Sequence, residues 1–295
     1  MRTMIIGMGL MGSALADALL RENMTVSVWN RTPGRCRPAV DAGATHAASV
    51  ADGAGECDVI ITCLADHSAV IERVITPEVG RLLAGKTFVQ LSQAMPEQSL
   101  EFAAWAADHG IGYLEGSILG YPKDVREGDC VIVYSGEPAT FHACHDVLGA
   151  MGSKPRLVGD QPGIATAFDK AFFAFYYAHA LGLLHGAAIC RAAGIPLDAY
   201  LELMVDDWDW KLPDSVTADV LKGGDYAVRE GTLETHAHAC DQVVPYCRKI
   251  GVDTGLAKAI ERIVKAGIDL GHGHNEIASL IEVLNPSGDH HYTDQ

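Results

Sequence analysis

Positive charge is scarce in this sequence. Lys and Arg number 22 against 38 Asp and Glu, a formal net charge of −16. So acidic a chain repels phosphate backbones, which argues against a nucleic-acid partner. It also lacks any C-x-x-C pair. Its 8 cysteines follow no disulfide framework and are expected as reduced thiols of a cytoplasmic protein. No apolar leader with a cleavage site opens the chain, because Met1-Arg2-Thr3-Met4-Ile5-Ile6 runs straight into glycines. Metal-ligand clusters are missing as well. His236 and His238 fall on different helix faces beside Cys240, and His290-His291 sits in a polar tail, so no metal is expected.

One further absence is ambiguous. From Ala171 to Cys190 there is no Asp, Glu, Lys or Arg. About twenty such residues satisfy the length test for a membrane span. The run nevertheless contains His179, Gly182, His185 and Gly186 and follows a pattern typical of soluble nucleotide domains. A helix apolar on all sides also suits a core or a subunit interface, so no membrane is expected.

The chain has 295 residues, 48% of them hydrophobic, with a mean hydropathy of +0.11, enough for two globular domains. In the first half, short apolar runs alternate with helical patterns: Thr3–Gly7, Met24–Trp29, Asp58–Cys63, Thr87–Leu91, Ile111–Glu115 and Cys130–Ser135. That alternation predicts an α/β fold, a doubly wound parallel sheet covered on both faces, over residues 1–161. From residue 162 to 295 the pattern is helical. It begins with a long inter-domain helix, about Ile164 to Ala193, that stops before Gly194-Ile195-Pro196. Shorter helices are expected near 197–205, 213–221, 235–250, 255–266 and 276–283, making an all-α second domain.

Gly7-Met8-Gly9-Leu10-Met11-Gly12 fits G-x-G-x-x-G and stands between an apolar strand and a helix, the context that gives this pattern meaning. Gly7 makes the tight turn, Gly9 admits a pyrophosphate close to the backbone, and Gly12 lets helix pack on strand. The helix N-terminus offers amides to the phosphates. The end of the second strand normally carries an acid for the ribose hydroxyl of NAD. Here it reads Trp29-Asn30-Arg31-Thr32-Pro33-Gly34-Arg35-Cys36-Arg37. The acid is replaced by arginines. Arg31 can fork onto a 2′-phosphate with Thr32 adding a hydroxyl, so NADPH is expected over NADH.

A hydride transfer needs a group that handles a proton or balances charge. Asp169 and Lys170 are the last charged residues before the apolar run. A carboxylate at such a border is expected to be partly desolvated, which suits a proton donor, although an acid favouring the helix dipole is an equal reading. Tyr176 lies on nearly the same helical face as Asp169, and Tyr177 about 80° around.

Taken together, these motifs make the chain resemble the imine reductases and reductive aminases, relatives of the β-hydroxyacid dehydrogenases. The resemblance runs nearly end to end. It rests on Gly7–Gly12, Val28-Trp29-Asn30-Arg31-Thr32-Pro33, Glu115-Gly116-Ser117-Ile118-Leu119-Gly120-Tyr121-Pro122, Phe168-Asp169, Tyr177, Trp208-Asp209-Trp210 and Gly271-His272-Gly273-His274. It implies hydride transfer from NADPH to cyclic imines or iminium ions, with reductive amination of carbonyls as an extension, in a homodimer that exchanges its helical domains. Asp169 takes the position of the dehydrogenases' catalytic lysine, and Ala174 stands where that lysine's Asn partner would be.

The resemblance therefore gives Asp169 the proton-donating or iminium-orienting role and Tyr177 that of anchoring the substrate amine. It adds Leu10, Met11 and Asn30 to the cofactor contacts, with Arg35, Cys63, Leu64 and Gln93. Ser117, Leu119, Tyr121, Phe173 and Trp210 become substrate-pocket residues, although Phe173 read alone is a packing residue. Reductive aminases often carry Asn where this chain has Gln93, one methylene longer, which favours preformed imines over free ketone and amine. Two other functions fit the residues: a β-hydroxyacid dehydrogenase using Lys170, and a non-catalytic NADPH sensor.

Overall fold

A computed structural model describes residues 1–209 and 211–286, with side chains at 211–213 left aside. Met1–Phe175 form one compact unit and the chain from Tyr176 onward a second. The first unit is built on an eight-stranded sheet. Its strands are β1 (Arg2–Ile6), β2 (Thr25–Trp29), β3 (Thr45–His46), β4 (Val59–Thr62), β5 (Thr87–Gln90), β6 (Gly112–Leu119), β7 (Val131–Gly136) and β8 (Arg156–Gly159). Their order is β3-β2-β1-β4-β5-β6-β7-β8. The chain therefore reverses direction across the sheet between β1 and β4, and ligands of open α/β sheets bind in the crevice at such a point.

Buried apolar side chains cover both faces. Ile5, Leu15, Val28, Ile61 and Leu114 lie in one cluster, and Met4, Ile6, Ile60, Phe88 and Phe102 in the other. Successive residues of β1 and β4 thus feed opposite cores, which is why those strands read as continuous apolar runs.

The sheet departs from the all-parallel expectation at its last two strands, since β8 runs parallel to the reversed β7. β7 runs antiparallel to β6, pairing Leu114 with Gly136 and Leu119 with Val131. The segment between them holds only the short helix Pro122–Glu127. A parallel return needs a crossover of about a dozen residues or more, whereas a short connection folds the strand straight back. β3 and β8 were not anticipated. Two residues are too few to show alternation, and β8 pairs with β7 through a register shift at Tyr134/Ser135.

The long helix spans Ile164–Ala192, and its chain leaves through Gly194 at φ +75°. Its most apolar stretch is uncovered in the single chain, with Phe175, Tyr177, Leu181 and Leu184 all more than half exposed. The second unit is helical, as expected, but less regular. The helix at Leu197–Leu201 opens into a π-helical turn at Glu202–Asp207, and the one expected near 276–283 divides into a 3-10 turn, Ile277–Leu280, and a single turn, Ile281–Leu284.

Glu276 holds this end together. Its Oε1 accepts backbone N–H bonds from Arg229, Glu230 and Gly231 at 2.9, 2.6 and 3.3 Å, and its Oε2 accepts from Ile277. Burial alone would push the carboxyl up, but the four N–H groups outweigh it and hold it below the usual glutamate value. A carboxylate held low contributes stability above the unfolded-state value of about 4.3, lost as pH falls through the lower folded value. Glu276→Gln is therefore expected to lower the thermal midpoint near neutral pH by about 2–4 °C. That gap should close as both proteins are titrated below about pH 4 and followed by thermal unfolding.

Candidate active site

β1 ends at Ile6 and the chain turns at Gly7, whose φ is +106°. A Cβ on Gly7 would lie 2.3 Å from the carbonyl oxygen of Cys63, and one on Gly12 only 1.8 Å from the carbonyl oxygen of Gly7. Both positions need glycine to hold the helix Leu10–Arg21 against the sheet. Gly9 differs: a Cβ there would meet nothing within 4 Å. Its missing side chain leaves open space, as a phosphate approaching the backbone requires. Gly9 also heads the helix with no side chain capping it, so the first-turn amides face that space without competition.

Next to this loop, Asn30 at the end of β2 fixes its shape. Its Oδ1 accepts from the Met8 amide at 3.0 Å, and its Nδ2 donates to the Thr32 carbonyl, also at 3.0 Å. Asn30 therefore serves as a brace between the two cofactor segments. A cleft of about 630 Å³ runs past them, lined by Gly7, Gly9 and Leu10, then Arg31, Thr32 and Arg35. The arginines are exposed at its rim. Glu72 and Arg73, at the end of the helix His67–Arg73, form its far wall. Sequence reasoning missed that pair, since only the fold brings them to the cleft that Arg31 also lines.

A second cavity of about 310 Å³ continues from the first, and Met11, Cys63, Leu64 and Ala65 line both. Burial at this junction pushes the Cys63 thiol up to about 12. Gln93 stands on the second cavity's wall with Ser92, and Ser117 of β6 with Gly116 and Gly120. From the long helix come Thr166, Asp169 and Phe173. Asp169 is 7% exposed, and its Oδ2 accepts from Lys170 Nζ at 2.9 Å. Among the described residues Oδ1 has no protein donor, so one oxygen of a buried carboxylate is left for a ligand.

The loops at the sheet end are set by a buried amide. Gln90 Oε1 accepts from Thr62 Oγ1 at 3.1 Å and from the Ser92 amide, while its Nε2 donates to the Ser92 carbonyl at 2.8 Å. Ser92 Oγ in turn accepts from the Leu64 amide at 2.8 Å.

Two expected pocket residues lie off this wall. β6 ends at Leu119, paired with Val131, and Tyr121 is 61% exposed at the start of the next helix, its amide donating to Asp124 Oδ2. Neither lines the cavity within this chain, although their neighbours Ile118 and Gly120 do. Tyr177 is 58% exposed and does not line it either. Trp210 lies outside the described residues. Among the described residues no group of His, Cys, Asp or Glu could hold a metal ion.

Comparison with known proteins matches this geometry. Residues 2–159 fit the NAD-binding domain of 6-phosphogluconate dehydrogenase, and residues 161–286 fit the C-terminal domain of NADPH-dependent reductive aminase-like proteins. An NADPH-dependent reductive aminase from Aspergillus oryzae is 27% identical over 94% of this chain and 95% of its own. An imine reductase from Myxococcus stipitatus, solved with NADP+, superposes with a TM-score of 0.87 at 30% identity, covering 97% of this chain and 100% of that one. A reductive aminase from Aspergillus terreus, solved with NADPH and ethyl levulinate, gives 0.85 at 29% identity over 96% and 99%.

Proposed function

The chain belongs to the imine reductase and reductive aminase family, and from that premise we propose that it reduces imines or iminium ions to amines with NADPH. One observation carries the reading: a buried carboxylate, Asp169, stands on the wall of a cavity continuous with the dinucleotide cleft. The residues present fit the cofactor. Gly9 leaves room for the pyrophosphate, the uncapped first turn offers its amides, and Arg31, Thr32 and Arg35 suit a 2′-phosphate. Bound NADPH supplies the hydride, and everything else falls to the protein.

Addition of hydride to the imine carbon moves the C=N π pair onto nitrogen, which must then be protonated or already carry a proton. Asp169 suits that need. Its ionised form balances the cationic iminium, and its protonated form donates to the nitrogen. Lys170 Nζ pairs with the carboxylate at 2.9 Å. Tyr177 anchors the amine, as the family resemblance implies. At about 1.5 Å per residue it lies roughly 12 Å along the helix from Asp169. We assign it to the part of the pocket that a second copy completes, together with Leu119 and Tyr121. That copy also covers the exposed apolar stretch of the long helix. Residues 1–161 are the cofactor half of this cytoplasmic homodimer, and 162–295 the substrate and dimerisation half. Gln93 faces the cavity with a longer amide than Asn, so preformed imines are better substrates than a ketone with free amine.

The test is turnover of a five-membered cyclic imine, followed by nicotinamide absorbance with NADPH and with NADH. NADPH should be consumed, NADH more slowly, and a β-hydroxyacid with NADP+ should give nothing. Oxidation of the hydroxyacid without imine turnover would assign the site to Lys170 chemistry. Tight NADPH binding with neither reaction would make the protein a sensor.

A further inference from the structure

Glu115 is the most deeply buried carboxylate near the cavity, 1% exposed, yet it does not line it. It sits on β6 opposite Gln90 of β5 and Ser135 of β7. Its partners are the start of the long helix. Oε1 accepts from the Gly163 amide at 2.8 Å, the Thr166 amide at 3.3 Å and Ser135 Oγ at 2.8 Å. Oε2 accepts from Thr166 Oγ1 at 3.2 Å. Ser135 Oγ also accepts from the Ala165 amide at 3.0 Å, and Thr166 Oγ1 meets Ser99 Oγ at 3.0 Å. Among the described residues no lysine, arginine or histidine pairs with Glu115. Its negative charge is answered by the amides of a helix N-terminus, where an anion is stabilised.

The sheet strand that carries Ser117 into the cavity thus grips the helix that carries Asp169. Thr166 and Asp169 are three residues apart on one helical face, and both line the cavity. We infer that Glu115 is a positioning residue for hydride transfer: its carboxylate fixes the first turn of the long helix, and hence Asp169, against the sheet edge that lines the cavity with Ser117. This inference rests on the imine-reducing function proposed above. It differs from a general role in stability because the clamp's reach is set by side-chain length. Shortening it by one methylene moves the helix start while leaving the charge in place, and a misplacement of about 1 Å costs on the order of 100-fold in rate.

The experiment compares Glu115→Asp and Glu115→Gln with the wild type, using the full-length protein and the cyclic imine. Glu115→Gln keeps an oxygen for the two amides and Ser135, and its NH2 can donate to Thr166 Oγ1. Expected for Glu115→Asp is a kcat about 10- to 100-fold lower, with NADPH Kd by fluorescence titration within about twofold of wild type, and faster hydrogen exchange at the Gly163 and Thr166 amides. Glu115→Gln should retain kcat within about threefold.

A Glu115→Asp protein with wild-type kcat would overturn the inference. So would a loss of kcat matched by equal loss of NADPH affinity or of folded protein, because the clamp would then serve the fold at large. If Glu115→Asp does not fold, Thr166→Val decides by the same readings, with Thr166→Ser restoring the rate. An inactive wild type would instead strike the proposed function, and the exchange and NADPH measurements would still report whether the clamp exists.

Discussion

Asp169→Asn should lower kcat for a cyclic imine by about 10²- to 10⁴-fold, the range that a positioned acid–base group contributes. The substitution preserves shape and removes both the proton and the charge. Lys170 loses its partner, but its side chain is 40% exposed, so the freed ammonium turns to water and the fold is little affected. NADPH Kd should therefore hold within about twofold, and the loss should appear in kcat rather than in cofactor binding. If cofactor titration and single-turnover rates show a variant as fast as wild type, Asp169 is no proton handler and is simply a helix-start acid. A fall in NADPH affinity equal to the fall in kcat would move its role from substrate to cofactor.

Gly12→Ala and Gly9→Ala should divide stability from binding. At Gly12 the new methyl would lie 1.8 Å from the Gly7 carbonyl oxygen, a backbone atom that cannot swing aside. The helix must lift off β1. Overpacking of this kind costs about 1–3 kcal/mol, and the displaced amides should weaken NADPH binding about tenfold to hundredfold. Gly12→Ala is thus expected to lower both the thermal midpoint and the cofactor affinity. At Gly9 the backbone conformation, φ −78° and ψ −168°, suits alanine, and the methyl meets no protein atom. Gly9→Ala should keep the midpoint of the ligand-free protein and lose affinity alone. Isothermal titration with NADPH beside thermal unfolding reads both variants. A Gly9→Ala protein with unchanged affinity would show that the cofactor does not pass that atom.

How much of this was legible in the chain follows from how local each feature is. The glycine loop could be read because its turn, its close approach and its helix start lie within six consecutive residues. Arg31, Thr32 and Arg35 were readable for the same reason, as they follow the second strand directly. Asp169 stood out as the last acid before a long uncharged run, although its role came from resemblance rather than from pattern.

What escaped was the work of contacts distant in sequence. Glu115 was visible within a motif, but nothing near it signals that it binds amides about fifty residues on. Glu72 and Arg73 meet the cofactor cleft only because β1 and β4 are neighbours. The antiparallel pairing of β7 with β6 was missed because strand periodicity carries no direction. The length of the connecting segment was the available signal. Leu119 and Tyr121 stay off the cavity wall of this chain while Ile118 and Gly120 line it, a residue-by-residue difference that a motif read as one block does not show.

The sulfur at the meeting of the two cavities has a chemical consequence of its own. Imines, iminium ions and the carbonyls they come from are electrophiles, and a thiolate adds to all of them. With its thiol pushed up by burial, Cys63 stays protonated at neutral pH. The junction of the two cavities is therefore lined by a polarisable but weakly nucleophilic sulfur. An electrophile that reaches this junction meets a thiol rather than a thiolate, and so is not trapped there as a covalent adduct.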